Sequence, residues 1–145
     1  MKERLKALYQ SVILTHNKSP LNFEKKENAS YRLEAYNPVC GDKYQLFFEV
    51  ENNQITDIHF HGYGCAISKA ASSILTKHLQ NKSLEEAYQI CQLYQKHLEP
   101  DTLTSSEIVE DFEAFSAAQH FPGRAKCATL SWEEMERFLK LEVKN

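Results

Sequence analysis

Three of the four cysteines in this chain lie far apart, and no Cys-x-x-Cys pair occurs anywhere in it. Cys40 falls in Asn37-Pro38-Val39-Cys40-Gly41-Asp42, Cys65 in Gly64-Cys65-Ala66-Ile67-Ser68, and Cys127 in Lys126-Cys127-Ala128-Thr129-Leu130. This spacing argues against a zinc finger or a thioredoxin-like redox motif, whose thiols are local in sequence. With Asp42 two residues after the first cysteine, three thiols and one carboxylate make a complete four-ligand set for a tetrahedral metal ion. Only a fold that carries three distant segments to one point can use it.

The pattern around these segments predicts that fold. Leu5, Leu8, Tyr9, Val12, Ile13 and His16 recur at helical spacing, so residues 3–16 read as an amphipathic helix stopped by Ser19-Pro20. The polar stretch 22–30 reads as a mobile connector. Leu46, Phe48 and Val50 alternate with Gln45, Phe47 and Glu49, and Ile58 and Phe60 with Asp57, His59 and His61; Asn52-Asn53 between them signals a hairpin. Residues 31–36 supply a third strand, which puts Cys40 to Asp42 in a strand-to-strand loop. From 67 to 80 the period becomes helical, with Ser68, Ala70, Ala71, Ser72 and Ser73 small enough to pack closely on the sheet.

Ser83 and Glu86 form a capping box for a helix with Leu84, Ala87, Tyr88, Cys91, Tyr94 and Leu98 on one face, ended by Pro100. Residues 101–123 are least regular, with a short helix expected near 108–115. Ser131 precedes a last helical stripe of Trp132, Met135, Phe138 and Leu139, with Glu133 and Glu134 at its start and Lys140 near its end, as the macrodipole favours. The expectation is an α+β fold, a small antiparallel sheet of about three strands packed with helices. Residues 1–145 read as one domain, long enough to bury roughly 68–70% of its unfolded surface.

Composition narrows the function. A chain with 42% hydrophobic and 26% charged residues is that of a globular protein, and a net charge of −3 gives no footprint for nucleic acid or an acidic membrane. The N-terminus has no apolar signal region and no run reaches transmembrane length, so a cytoplasmic chain with reduced thiols is expected. No Gly-x-Ser-x-Gly, P-loop or dinucleotide fingerprint is present.

The cysteines are not equivalent. Cys91 sits on an apolar helix stripe and reads as core. Cys65 follows Gly64 at a strand-to-helix turn, and Cys127 is placed in a loop shortly before a helix, beside Arg124 and Lys126. Helix N-termini and neighbouring cations both lower a thiol's pKa and favour the thiolate. Zinc with three thiolates and a carboxylate would carry a formal charge of −2, which Arg124 and Lys126 are placed to offset. His59 and His61 share a strand face with Asp57 that reads as solvated, so they are not expected as ligands.

These segments together resemble the U-type iron–sulfur cluster assembly proteins, the family of IscU, SufU and the N-terminal part of NifU. The resemblance runs from the N-terminal helix (residues 8–16) to Trp132. Within the family the chain looks like the SufU branch. IscU-type scaffolds carry histidine where Lys126 stands, SufU-type members have an insertion corresponding to residues 98–123, and Arg124 falls where that branch has arginine. Tyr63 departs toward the IscU pattern. The resemblance implies a SufE/NifU-like fold and zinc held by Cys40, Asp42, Cys65 and Cys127. It also implies that Cys40, assisted by Arg124, accepts persulfide sulfur from a SufS-type cysteine desulfurase for later steps of iron–sulfur assembly. Two other functions stay open: a scaffold on which the same residues hold iron or a transient [2Fe–2S] cluster, and a zinc-stabilised interaction module.

Overall fold

Alternating apolar residues build a hairpin at the centre of the fold, seen in a computed structural model that describes residues 3–97, 107–116 and 125–143. Strand β2 (Asp42–Glu51) pairs antiparallel with β3 (Gln54–Tyr63), and β1 (Tyr31–Asn37) pairs antiparallel with the other edge of β2. The turn places Asn52 and Asn53 at φ 53° and 63°, the left-handed conformation that a two-residue hairpin needs and asparagine tolerates. One face of the sheet carries Ala35, Tyr44, Leu46, Phe48, Ile58 and Phe60, all buried. Asp42 shares that face, two residues before Tyr44, so the core surface runs straight into the predicted ligand loop.

Helices cover the same face. The N-terminal helix begins as α1 (Glu3–Leu8), widens into a π-helical stretch over Tyr9–Leu14 and ends as α2 (Thr15–Lys18). The sequence predicts one regular helix here; the wider turn lets Val12 and Ile13, adjacent in sequence, both reach the core. Next come α3 (Ala66–Leu79), α4 (Leu84–His97), α5 (Glu107–Glu113) and α6 (Ala125–Val143). The capping box forms as expected, with reciprocal hydrogen bonds between Ser83 and Glu86. Where the small residues of α3 were expected to serve packing on the sheet, Ser72 Oγ meets Ser131 Oγ of α6 at 2.7 Å, so they also admit a close helix. Tyr94 of α4 stacks on Trp132 of α6 at 4.0 Å between ring centroids, and the indole nitrogen donates to the Ala71 carbonyl of α3. The three helices are thereby locked around one aromatic centre. Among the described residues no helix is long and apolar enough to cross a membrane.

Two expectations change. The polar stretch 22–30 is no loose connector. The Phe60 amide donates to the Asn22 carbonyl and the Glu24 amide to the Phe60 carbonyl, so residues 22–24 pair alongside β3. Ser30 N then donates to Glu49 Oε2 on β2. Residues 25–29 line a groove with Phe47, which explains why Phe47 is buried although it points away from the core. The last helix, in turn, starts at Ala125 and not near Ser131. Ser131 followed by Glu134 imitates a capping box, but its hydroxyl is buried against Ser72 in mid-helix.

Candidate metal centre

Three chain segments converge at one end of the sheet. The first is the tight turn from β1 to β2, in which Gly41 N donates to the Asn37 carbonyl at 2.7 Å and Val39 N to Asn37 Oδ1 at 3.2 Å. Gly41 closes it at φ 78°, a conformation glycine adopts without strain. The turn leaves Cys40 exposed and delivers Asp42, only 1% exposed, to the start of β2. The second is the junction of β3 with α3, where Cys65 is the N-cap residue and lies at the positive end of the helix dipole. The third is the first turn of α6, which holds Cys127 at 1% exposure.

Cys40, Asp42 and Cys127 offer ligand atoms that all lie within 4.8 Å of one another. Cys65 falls outside that group of three but adjoins it: its thiol hydrogen-bonds with Cys127, and its sulfur lies 3.6 Å from Ser68 Oγ. Cys91 is elsewhere, fully buried on α4, its thiol pushed far up by burial and by Glu136. His59 and His61 do not join the cluster. His59 packs beside Asp57 at 3.3 Å with only 14% of its side chain exposed, and His61 stacks on Phe23, so that face is less solvated than its polarity suggests. Lys126 is exposed with its ammonium paired to Glu133 on the same helix. Arg124 lies outside the described residues.

Cys127 corrects the expected electrostatics. A thiol at a helix start was expected to be acidic, yet burial, hydrogen bonds with Asp42 and Cys65, and the charge of both push the Cys127 thiol well up. The Cys127 thiol donates to Asp42 Oδ2 at 3.2 Å. Several acids crowded into a buried space cannot all ionise unless positive charge joins them, and a divalent cation that displaces those protons fits this donor set. Asn37 adds to the picture. It pairs in register with Asp42, is buried, and its Nδ2 finds no hydrogen-bond partner. A buried unmet donor costs about 1–3 kcal/mol, a cost that an anionic ligand sphere would offset.

The support behind Asp42 is not announced by any sequence pattern. Its Oδ1 accepts from Cys65 N at 2.8 Å and from Ser68 Oγ at 3.2 Å, and Ser68 Oγ lies 3.2 Å from Tyr44 Oη. Ser68 reads in sequence as one of several small helix residues. The available signal was its position, one helical turn after Cys65.

The family model for the NifU-like N-terminal domain matches residues 8–128. The zinc-dependent sulfurtransferase SufU of Bacillus subtilis strain 168 is 34% identical over 133 residues, covering 92% of this chain and 90% of that protein. The iron–sulfur cluster assembly scaffold protein IscU of Streptococcus pyogenes serotype M1 is 30% identical over 137 residues, covering 94% and 86%. The crystal structure of a SufU protein from Fervidobacterium islandicum AW-1, described as a cluster assembly scaffold for the SUF system, superposes with a TM-score of 0.79 at 27% identity, covering 92% of this chain and 97% of that one. The chain belongs to the NifU-like N-terminal domain family.

Proposed function

We propose, from membership of that family, that this chain serves iron–sulfur cluster assembly as a zinc-dependent sulfurtransferase, accepting persulfide sulfur on Cys40 from a SufS-type cysteine desulfurase. The observation that carries the reading is the contrast within the cluster: Asp42 and Cys127 are buried, whereas Cys40 is exposed beside Val39, itself 88% exposed. Of these three donors, Cys40 is the one a partner protein can reach. The SufU relative, named a zinc-dependent sulfurtransferase, supports the same choice.

Cys40, Asp42, Cys65 and Cys127 would hold the zinc. When bound, zinc supplies the positive charge that keeps buried thiolates deprotonated, and it brings no redox chemistry of its own. Sulfur transfer itself needs only thiolate exchange. The Cys40 thiolate attacks the terminal sulfur of the desulfurase's cysteine persulfide, a new S–S bond forms on Cys40, and the partner's S–S bond breaks. The electron pair leaves on the partner's cysteine as a thiolate, so no oxidant is consumed. Tyr36, Val39 and Tyr63 stand exposed on the strands and turn around this end of the sheet and would exclude water once a partner docks. Arg124 is assigned the cationic assistance to the anionic persulfide, since Lys126 is committed to Glu133.

A second reading is favoured by the IscU relative, which is named a scaffold: the same donors would hold a [2Fe–2S] cluster as cargo. One experiment separates them. Zinc-loaded protein incubated with desulfurase and cysteine should gain one sulfur atom on Cys40, read by mass spectrometry, and Cys40→Ser should abolish it. Sulfur only on Cys65 or Cys127, or a stable coloured cluster built in competition with zinc and passed to an apo-ferredoxin, would overturn the relay.

A further inference from the structure

The carboxylate of Asp42 has two oxygens in different surroundings. Oδ2 faces the thiol cluster, 3.2 Å from Cys127 Sγ. Oδ1 receives the Cys65 amide and the Ser68 hydroxyl. Ser68 and Tyr44 are both buried, and their hydroxyls meet at 3.2 Å. The Ser68 proton has more than one acceptor in range, since the Cys65 carbonyl lies 3.1 Å away. Ser68 Oγ stands 3.2 Å from both Tyr44 Oη and Asp42 Oδ1, and of the acceptors within its reach the carboxylate is the strongest.

The space is shaped for this arrangement. A Cβ added at Gly64 would stand 2.5 Å from Asp42 Oδ1, 2.6 Å from Ser68 Oγ and 2.8 Å from Tyr44 Oη. Gly64 shows no left-handed φ, so its role is room: three oxygens from β2 and α3 converge where its side chain would be.

We propose that Ser68 and Tyr44 are positioning residues for the metal site: Tyr44 Oη, Ser68 Oγ and Asp42 Oδ1 form a hydrogen-bonded relay that fixes the carboxylate so that Oδ2 alone is presented to the metal. The inference rests on the metal reading above. Held at Oδ1, Asp42 is a one-oxygen ligand whose orientation survives when Cys40, on its exposed turn, is engaged elsewhere. Groups that orient a ligand in this way typically change metal affinity by about 10–100-fold when removed.

The test measures how fast zinc leaves the intact protein for a chromogenic chelator, together with the visible spectrum of the cobalt-substituted form. Ser68→Ala should speed release by about 10–100-fold and shift the cobalt bands, because Asp42 is freed to rotate or to bind through both oxygens. Tyr44→Phe, which keeps the ring and removes one oxygen, should act in the same direction and less strongly. In an Asp42→Ala background Ser68→Ala should add nothing, since its effect passes through the carboxylate. Wild-type release and an unchanged cobalt spectrum in both Ser68→Ala and Tyr44→Phe would overturn the relay while leaving the metal site standing. Equal acceleration by Ser68→Ala with Asp42 already removed would overturn it as well. A wild-type chain that takes up neither zinc nor cobalt would overturn both readings together.

Discussion

At the scale of single residues, the two glycines flanking the cluster make opposite demands. Gly41 sits at φ 78° with open space where a Cβ would go, so Gly41→Ala should cost about 1–2 kcal/mol in backbone strain yet leave metal binding intact. Gly64→Ala puts a methyl group into the Asp42, Ser68 and Tyr44 oxygens and should lose zinc outright. Elemental analysis beside thermal melts distinguishes them; equal metal content in the two variants would refute the crowding argument. The cysteines give a parallel contrast. Cys127→Ser should lose the metal, whereas Cys91→Ser should retain full stoichiometry while melting lower, because it buries a hydroxyl in an apolar stripe at a cost of about 1–3 kcal/mol. That Cys91 is core and Cys40 lies on an exposed turn was legible in sequence, since apolar stripes and element ends look different; the burial of Cys127, at an element end and as deep as that of Cys91, was not. The depressed thiol acidity was not, because a helix terminus is local whereas the burial that reverses its effect on Cys127 comes from three separated segments.

At the scale of elements, what the sequence predicted well is local and what it missed is not. The Asn52-Asn53 hairpin and the Ser83–Glu86 capping box are set by neighbours a few residues away, and both form. The burial of Ser131 inside α6 and the course of residues 22–24 involve Ser72 and Phe60, distant in sequence, and no periodicity announces them. A tie between elements also yields a pH prediction. His16 Nδ1 lies 2.8 Å from Ser73 Oγ, joining α2 to α3. Burial lowers the His16 pKa, and the charges of Lys77 and His78 add to this against the opposing pull of Asp111. A histidine whose folded pKa is depressed stabilises the fold fully above its unfolded value of about 6.5, and that contribution falls as pH drops through the interval to the folded pKa. Melting temperature should therefore decline as pH falls below about 6.5, and His16→Gln should flatten the decline. An unchanged slope would mean that His16 is not the group responsible. Below that range a second loss should follow. Burial alone would raise the Asp111 carboxyl, but hydrogen bonds from His78 and Lys77 of α3, each 2.7 Å, outweigh it and hold the pKa down. Its contribution is complete above about pH 4 and disappears as that carboxyl takes up a proton.

For the whole molecule, the question is whether the metal makes the fold or the fold makes the metal site. The cluster occupies one end of the sheet, while the aromatic centre that fastens α3, α4 and α6, built on Tyr94, Phe112 and Trp132, draws on none of its side chains. Removing metal should thus leave a cooperatively folding protein, unlike a zinc finger, which unfolds without it. The sequence hinted at this through length alone; the separation of core from cluster needed the structure. Metal that binds only the native state still adds stability by mass action, about 2.7 kcal/mol at a free concentration one hundred times its Kd. For a chain of this size that corresponds to a rise of roughly 5–10 °C in melting temperature. Stripping zinc with a chelator should lower the melt by about that much while the far-ultraviolet circular dichroism at 20 °C stays unchanged, and restoring zinc should recover it. A collapse of secondary structure on chelation would mean that the three converging segments depend on the metal for their own order. The exposed turn carrying Cys40 would then be unable to give up its ligand to a partner without losing the fold, and a role in sulfur transfer would fail with it.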